Sequence, residues 1–322
     1  MSIDLDLVLK NQLVERRRRV SSAISAAGPD HQLTSLMQQI DAVLERFEAG
    51  TYGLCDVCHD SVEAERLIAN PLERFCIDHL SQDEQRALED DLTLAAQIQR
   101  GLLPTHPMRV GDWKLDYCYE PARIVSGDYV DILQNGDLYF VIGDVSGKGV
   151  AASMLMAKLH TVFRSLIPLQ LSVDKLMERA SRLFGDSILP GQFATLICGR
   201  LTKDGVISLC SAGHPPALLS HNGKVEQIFA TGLPLGMFAN QKFSTEHLKL
   251  ETGDTLVLYT DGVPDAVNKH NDEYGMSRLI EIAASWPLEP ESLVARCLSD
   301  VSAFRAGSPR FDDISIMGIR RA

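Results

Sequence analysis

An α+β fold is predicted for most of this chain, preceded by a smaller helical unit. After residue 105, strand-like apolar runs and amphipathic helical patterns occur in clusters, which is typical of α+β domains. Before residue 82, two helical patterns and a group of Cys and His residues indicate a separate module. The 322 residues suffice for two domains, and an apolar content of 45% supports a substantial core. We therefore expect an N-terminal module at 1–81, a connector helix at 82–104 and a larger domain at 105–322.

Two helices are predicted at the start of the chain. The first covers about residues 4–26 and ends near Gly28-Pro29, a strong helix breaker. The second ends at Gly50 and carries one apolar stripe at helical spacing. The members of this stripe are Leu36, Ile40, Val43, Leu44 and Phe47. A run of four arginines at 16–19 permits a nucleic-acid contact, but a solvated helix face paired with acidic neighbours is the simpler interpretation.

A structural Zn²⁺ site is predicted after this helical hairpin. Cys55-x-x-Cys58 is followed, after a spacer of 17 residues, by Cys76-x-x-His79. Three thiolates and one imidazole can close a tetrahedron around one Zn²⁺ and leave no open position. Scattered buried thiols are the alternative. His59 is a spare ligand, and we expect it to be exposed.

The residues around these cysteines carry a resemblance to a known module. Glu48–Cys55, Arg66–Pro71 and Phe75–Ile77 resemble the zinc module of the DksA/TraR proteins, which act on RNA polymerase. The family commonly has a fourth cysteine where His79 stands, and histidine binds zinc equally well. No acidic coiled-coil tip is evident here, so we expect the finger to serve a purpose other than polymerase binding.

A connector helix is predicted from Gln82 to Leu103, with Pro104 as its stop. Its seam positions are spaced 4, 3, 4 and 3 residues apart over about two heptads. The seam consists of Leu88, Leu92, Ala95, Gln99 and Leu102. It is compatible with a homodimeric coiled coil that transmits a signal. It is also compatible with a helix packed on its own domain.

Strands and helices succeed one another in the region after the connector. The predicted strands are Trp113–Tyr119, Asp137–Asp144, Phe193–Leu201, Gly205–Ala212, Ala217–Ser220, Phe243–Leu250, Thr255–Thr260 and Ile314–Arg320. The predicted helices are Val150–Ile167, Ser172–Phe184, Gly275–Ser285 and Glu289–Phe304.

Acidic residues stand where several of these strands begin or end. One apolar run ends at Asp144, another ends just before Asp261, Asp312 precedes the last strand, and Asp128 lies upstream of the first run. Each of these is also compatible with an ordinary turn. No His or Cys stands beside them, and oxygen-only ligands favour Mg²⁺ or Mn²⁺ over zinc. Two such ions about 3.5–4 Å apart would form a hydrolytic centre.

An ordered series of motifs contains these aspartates. They are Ser126–Asp131, Asp144–Gly149, Phe193–Leu196, Ser211–Pro216, Pro234–Gly236, Tyr259–Gly262 and Asp312–Ser315. In this order they resemble the metal-dependent serine/threonine protein phosphatases, in the bacterial subgroup of stage II sporulation protein E and the sigma regulators. The resemblance covers about Leu92 to Arg320. It implies a four-layer α-β-β-α sandwich with two Mn²⁺ or Mg²⁺ ions at one end of the paired sheets.

The resemblance also implies roles for individual residues. Asp144 is expected to bridge both ions, and the Val145 carbonyl to complete one coordination sphere. Asp261 and Asp312 are the further acidic ligands. Asp128 is expected to bind a metal directly or through water. These four aspartates would form the catalytic set.

Three further residues of these motifs remain open. Asp131 and Asp313 either hold a metal-bound water or are solvated turn carboxylates. His214 is the candidate general acid within a motif, and a structural role in its turn is the alternative.

Charge and chain ends limit the classes of function. A net charge of −12 makes nucleic acid an improbable partner. No apolar run approaches the ~18 residues of a membrane span. The acidic N-terminus lacks signal-peptide features, so a cytoplasmic location is expected.

The resemblance implies a phosphoprotein phosphatase of a partner-switching pathway, acting on a phosphorylated anti-sigma factor antagonist. The alternative is a regulatory protein that binds transcription machinery through its zinc finger and carries a vestigial phosphatase domain.

Overall fold

The protein's structure, a computed structural model, describes residues 3–27, 30–80, 82–238, 240–285 and 289–322. The chain divides into two units, Met1–Asp91 and Leu92–Ala322. The connector helix observed at Gln82–Leu102 therefore contributes residues to both units. The proposed domain limits at 81 and 104 lie on either side of this division.

The first unit begins with two helices that pack against each other, α1 (Ile3–Ala27) and α2 (His31–Glu48). Ile40 and Val43 of the predicted stripe are buried, which confirms the face that α2 turns inward. The predicted helix break at Gly28-Pro29 lies outside the described residues. A short helix, α3 (Ala64–Ala69), follows within the cysteine-containing segment.

The arginine run of α1 lies on an exposed face and has acidic partners. Arg17 forms an ion pair with Asp41 of α2. The next two arginines both pair with Glu15, one turn earlier on the same helix. These contacts agree with the prediction of a solvated helix face paired with acidic neighbours.

The second unit contains two antiparallel sheets. The strands of the first sheet are β1 (Met108–Val110), β2 (Trp113–Glu120), β7 (Ala217–His221), β8 (Lys224–Ile228), β10 (Thr255–Tyr259) and β11 (Ile314–Arg321). The strands of the second sheet are β3 (Tyr129–Asn135), β4 (Asp137–Val145), β5 (Ala194–Leu201), β6 (Val206–Ala212) and β9 (Glu246–Lys249). Their spatial orders are β1-β2-β11-β10-β7-β8 and β3-β4-β5-β6-β9.

Helices cover the outer faces of both sheets. They are α5 (Val150–Leu166), α6 (Val173–Gly185), α7 (Gly275–Ala283) and α8 (Pro290–Arg305), while the connector helix, α4 (Gln82–Leu102), precedes β1 in the chain. The sheets share a core that contains Phe140 and Met317. Phe163 of α5 packs against the outer face of the second sheet, and Val294 of α8 packs against that of the first. This four-layer α-β-β-α arrangement confirms the predicted fold class.

Three strands were not predicted from the sequence: β1, β3 and β8. β3 carries a carboxylate, Asp131, in its interior, and its residues were interpreted as part of a turn motif. A local signal for β8 does exist, because Asn222-Gly223 joins β7 to β8 with φ angles of 49° and 76°. Two positive φ angles at an Asn-Gly pair are typical of a type I′ hairpin turn.

The expectation that no segment could span a membrane needs one correction. By length and composition, Val150–Leu169 is long and apolar enough to do so. This segment contains α5, whose Ala152, Met156, Leu159 and Phe163 are buried in the core against the second sheet. The core helix of a folded domain meets the same criterion, so the segment is weak evidence for a membrane span.

Candidate metal centres

The predicted zinc ligands lie together in the first unit. The ligand atoms of Cys55, Cys58, Cys76 and His79 all lie within 4.8 Å of one another. The Sγ atoms of Cys58 and Cys76 are 3.7 Å apart, and Cys76 Sγ lies 3.2 Å from His79 Nδ1. His59 is exposed, as expected for a residue that is not a ligand.

The donors around this cluster favour a bound cation. Burial alone would raise the pKa of the Cys55 thiol, but backbone N–H groups, including that of Val57, lower this pKa to about 6. A thiolate that accepts backbone hydrogen bonds is the form that ligates zinc. The packed residues beneath it, Leu9, Val62 and Leu67, form only a small core. The donor set and its surroundings therefore fit one structural Zn²⁺.

The predicted acidic residues of the second unit come from both sheets. Asp144 occupies the penultimate position of β4 in the second sheet. Asp261 lies two residues beyond the end of β10, and Asp312 lies two residues before β11, both in the first sheet. Because β10 and β11 are antiparallel neighbours, the end of one and the start of the other meet at the same edge. The paired sheets thus bring the three carboxylates to one end of the sandwich.

The negative charges of these carboxylates act on one another. Burial, followed by the charges of Asp261, Asp312 and Asp313, raises the pKa of the Asp144 carboxyl to about 8. Burial and then the charge of Asp312 likewise raise the pKa of Asp261. Among the described ion pairs, these carboxylates have a cation nearby in Lys148, whose Nζ lies 2.9 Å from Asp312 Oδ2. Such an excess of negative charge, presented entirely by oxygen atoms, fits hard divalent cations.

Gly127 lies close to the oxygen atoms of Asp144 and Val145. A Cβ atom at Gly127 would lie 3.1 Å from the Val145 carbonyl oxygen and 3.3 Å from Asp144 Oδ1. A larger residue there would therefore crowd the two oxygens that are expected to face the metals. The Gly127 carbonyl in turn accepts a hydrogen bond from the Val145 N–H at 3.3 Å. Glycine at this position keeps the predicted metal-facing oxygens free of side-chain contact.

Asp128 is enclosed rather than open. Its Oδ2 accepts hydrogen bonds from Thr260 Oγ1 at 2.9 Å and from Ser315 Oγ at 2.6 Å. Burial, followed by the charge of Asp144, raises the pKa of this carboxyl well above its ordinary value. If Asp128 binds a metal, the ligand atom is therefore Oδ1. Its role as a ligand remains a prediction, while its hydroxyl contacts show that it also joins the two sheets.

The alternative of solvated turn carboxylates is wrong for both Asp131 and Asp313. Asp131 lies inside β3 with no exposed side-chain surface and receives Arg164 Nε and Nη2 at 2.9 and 2.7 Å. Asp313 is buried and accepts the N–H groups of Ala122 and Gly127 at 2.7 and 2.8 Å. Asp313 therefore holds the loop that carries Gly127, and Asp131 joins β3 to α5.

His214 is placed for a structural role. Its Nδ1 lies 3.0 Å from Thr195 Oγ1, and Thr195 is directly opposite Asp144 in the β4–β5 pair. Burial lowers the pKa of His214 to about 3, so the imidazole is neutral near pH 7 and has no proton to donate as an imidazolium. The structural alternative is thus the one that the geometry supports.

The sequence did not reveal what Gln99 contacts. Its side-chain amide donates to the Ser126 carbonyl at 2.8 Å and accepts from the Ser126 N–H at 3.0 Å. Gln99 is the polar position of the predicted heptad seam, and Leu102 of that seam packs into the core beside α5 and α6. From Leu92 onward, the connector helix therefore packs on its own domain. Its Gln99 contacts Ser126, the residue that directly precedes Gly127 and Asp128.

Comparison with known proteins assigns families to both parts of the chain. Residues 134–322 match the family described as stage II sporulation protein E (SpoIIE). Residues 50–78 match the prokaryotic DksA/TraR C4-type zinc finger, and this match ends one residue before His79.

Individual relatives agree with these assignments. The chain is 31% identical over 263 residues to Protein IcfG of Synechocystis, which covers 72% of this chain and 41% of that protein. It is 30% identical over 183 residues to the phosphoserine phosphatase RsbP of Bacillus subtilis, covering 54% of this chain and 45% of RsbP. The chain thus spans less than half the length of either relative.

A solved structure supports the fold assignment. The SiaA-PP2C domain of Pseudomonas aeruginosa superposes with a TM-score of 0.65 at 18% identity, covering 74% of this chain and 98% of that domain. At this level of identity the likeness concerns the fold, and it agrees with the four-layer sandwich described above.

Proposed function

Because the chain belongs to the stage II sporulation protein E family, we propose that it is a metal-dependent protein serine/threonine phosphatase. The observation that carries the proposal is the group of three carboxylates, Asp144, Asp261 and Asp312, at one end of the sandwich. Beside burial, the charge of Asp312 raises the pKa of both of the others. A vestigial site would be expected to have lost one or more of these carboxylates. We place the enzyme in the cytoplasm, where its free thiols are compatible with reducing conditions.

Two Mn²⁺ or Mg²⁺ ions held by these residues would lower the pKa of a bound water and neutralise the phosphoryl oxygens during an in-line displacement. Asp144, on the rigid end of β4, would be shared between the ions. Asp261, Asp312 and the Val145 carbonyl would complete the set, with Asp128 Oδ1 close by. No protein nucleophile is required, and the neutral His214 stabilises the turn beside Asp144.

We propose that the substrate is a phosphoserine or phosphothreonine on a small regulatory protein, of the anti-sigma factor antagonist class. Two features support this: the resemblance of the motifs to the sigma-regulator subgroup, and the match to a relative named a phosphoserine phosphatase. The Zn²⁺ module and the connector would then serve regulation. Gln99 is suited to this, since it joins the connector helix to the loop that carries Gly127 and Asp128.

The direct test measures hydrolysis of p-nitrophenyl phosphate by the full chain, with and without Mn²⁺. Phosphorylated antagonist proteins from the same genome serve next as substrates. We expect turnover that depends on Mn²⁺ or Mg²⁺ and ceases in excess chelator. A metal-loaded protein with no turnover on any of these substrates would support the alternative, a binding protein with a vestigial site.

A further inference from the structure

Large apolar side chains are exposed beside the acidic site, and the proposed chemistry does not use them. They are Val150, Met154, Leu189, Met237 and Phe238, and we call this set the apolar strip. Their exposed fractions lie between 46% and 70%. Clustered apolar side chains on a surface indicate an interaction site more often than isolated ones do.

The first part of the strip lies on α5. Val150 is the first residue of this helix, one position after the glycine-rich turn that follows Asp144. Met154 lies one turn further on, and Lys158 a turn beyond that, so all three share one face. The Lys158 ammonium donates to the Phe184 carbonyl and to Ser187 Oγ, both at 2.7 Å. This face of α5 therefore points toward the segment that follows α6.

That segment runs back along α5 toward the acidic site. It begins at Ser187, opposite the third turn of the helix, and ends at Phe193. The Phe193 N–H donates to Ser146 Oγ, and the Ser146 N–H donates to the Phe193 carbonyl, both at 2.9 Å. Leu189 lies between these two attachments. Its N–H donates to Gln192 Oε1 and its carbonyl accepts from the Gln192 N–H, so the loop is held by its own hydrogen bonds.

The last part of the strip packs against this loop. Leu235 and Ala194 exchange two backbone hydrogen bonds, at 3.0 and 2.7 Å. At the next residue, Gly236, a Cβ atom would lie only 2.5 Å from Ile188 Cδ1, so the two loops are in direct contact. Met237 and Phe238 follow at once. The five apolar side chains therefore belong to three adjoining segments that extend from the edge of the acidic site.

We propose that the apolar strip is the docking surface for the phosphoprotein substrate, and this proposal rests on the function proposed above. A phosphoserine side chain is short, so a protein that places its phosphate among Asp144, Asp261 and Asp312 must cover the surface next to them. Lys148, two residues before Val150 in the chain, pairs with Asp312 through a side chain that is 45% exposed, so it brings a positive charge that suits a phosphate to the acidic site. The surface therefore fits a partner whose phosphorylated residue adjoins exposed apolar side chains.

Substitution within the strip tests this inference. The variants are Met154→Glu, Leu189→Glu and the uncharged Met154→Gln, all at exposed positions. The control is Leu169→Glu, which is similarly exposed but lies beyond the far end of α5. The 17 residues of α5 place this control roughly 25 Å from Val150. All proteins are assayed as the full chain with saturating Mn²⁺, on p-nitrophenyl phosphate and on a phosphorylated antagonist protein.

For the two Glu variants, we expect kcat/KM on the phosphoprotein to fall by about tenfold or more, mainly through KM. Met154→Gln should change it in the same direction by a smaller factor. Rates on p-nitrophenyl phosphate should stay within about twofold of the wild type, because so small a substrate does not reach the strip. The Leu169→Glu control should match the wild type on both substrates.

Other outcomes separate this inference from the proposed function. Lack of any metal-dependent hydrolysis by the wild type would overturn the phosphatase itself. Normal phosphoprotein kinetics in all strip variants would overturn only the docking surface. If those variants also changed from dimer to monomer in sedimentation, the strip would be a contact between two copies of this chain instead. Hydrolysis of p-nitrophenyl phosphate but of no antagonist protein would reject the proposed partner class.

Discussion

Replacing Gln99 by alanine should weaken metal binding without touching a metal ligand. The substitution removes both partners of the Ser126 backbone, whose N–H and carbonyl are buried against α4. A buried polar group left without a partner costs about 1–3 kcal/mol, so the observed loop conformation loses about 2–6 kcal/mol. Ser126 immediately precedes Gly127 and Asp128. The lost free energy therefore destabilises the loop that contains Asp128 and packs against the Val145 carbonyl.

The expected result is a change in the Mn²⁺ dependence of the rate. If Mn²⁺ binds only to the observed loop conformation, a cost of about 2 kcal/mol raises the half-activating Mn²⁺ concentration by up to about thirtyfold. Saturating Mn²⁺ should restore most of the maximal rate on p-nitrophenyl phosphate. Gln97→Ala, at an exposed position of the same helix, is the matched control. Superimposable Mn²⁺ titrations of Gln99→Ala, Gln97→Ala and the wild type would refute the reasoning, whatever their melting temperatures.

Three further predictions concern the metal centres. Asp144→Asn should abolish Mn²⁺-dependent turnover. In chelator, this variant should melt no lower than the wild type, because a neutral amide removes repulsion among the carboxylates. Loss of the fold would contradict this prediction. Cys76→Ser should reduce zinc, measured by elemental analysis, from about one ion per chain to almost none; full zinc retention would show that the ligands are misassigned. Gly262→Ala should inactivate the enzyme, because its Cβ would lie 1.9 Å from the Asp313 carbonyl oxygen. Gly101→Ala, with open space around it, should keep full activity and serves as the comparison.

The sequence predicts features that depend on one local run of residues. Apolar runs ending at Asp144 and before Asp261 indicated both the strands and the positions of the acidic residues at their ends. The sequence does not predict β3 in this way, because a buried strand does not normally carry an unpaired carboxylate such as Asp131. A cation has to neutralise it. That cation, Arg164, comes from α5, 33 residues later in the chain. Only the folded structure pairs them.

The same limit applies to the connector. The pattern of Leu88, Leu92, Ala95, Gln99 and Leu102 left two partners open, a second helix or the helix's own domain. From residue 92 onward, Gln99 joins the helix to its own domain through two hydrogen bonds to a backbone 27 residues away. Leu88, on the other side of the boundary between the units, is exposed. Heptad spacing records which residues share a face but does not identify what covers that face.

The acidic residues come from two different sheets, and this has a consequence for the way the protein responds to mutation. Asp144 is attached to the second sheet, whereas Asp261 and Asp312 are attached to the first. The spacing between these oxygens therefore depends on how the sheets are stacked across residues such as Phe140 and Met317. A substitution in that shared core that slides one sheet slightly over the other would alter which cation fits best. Metal preference is thus a sensitive indicator of core alignment and should change before the protein loses measurable thermal stability.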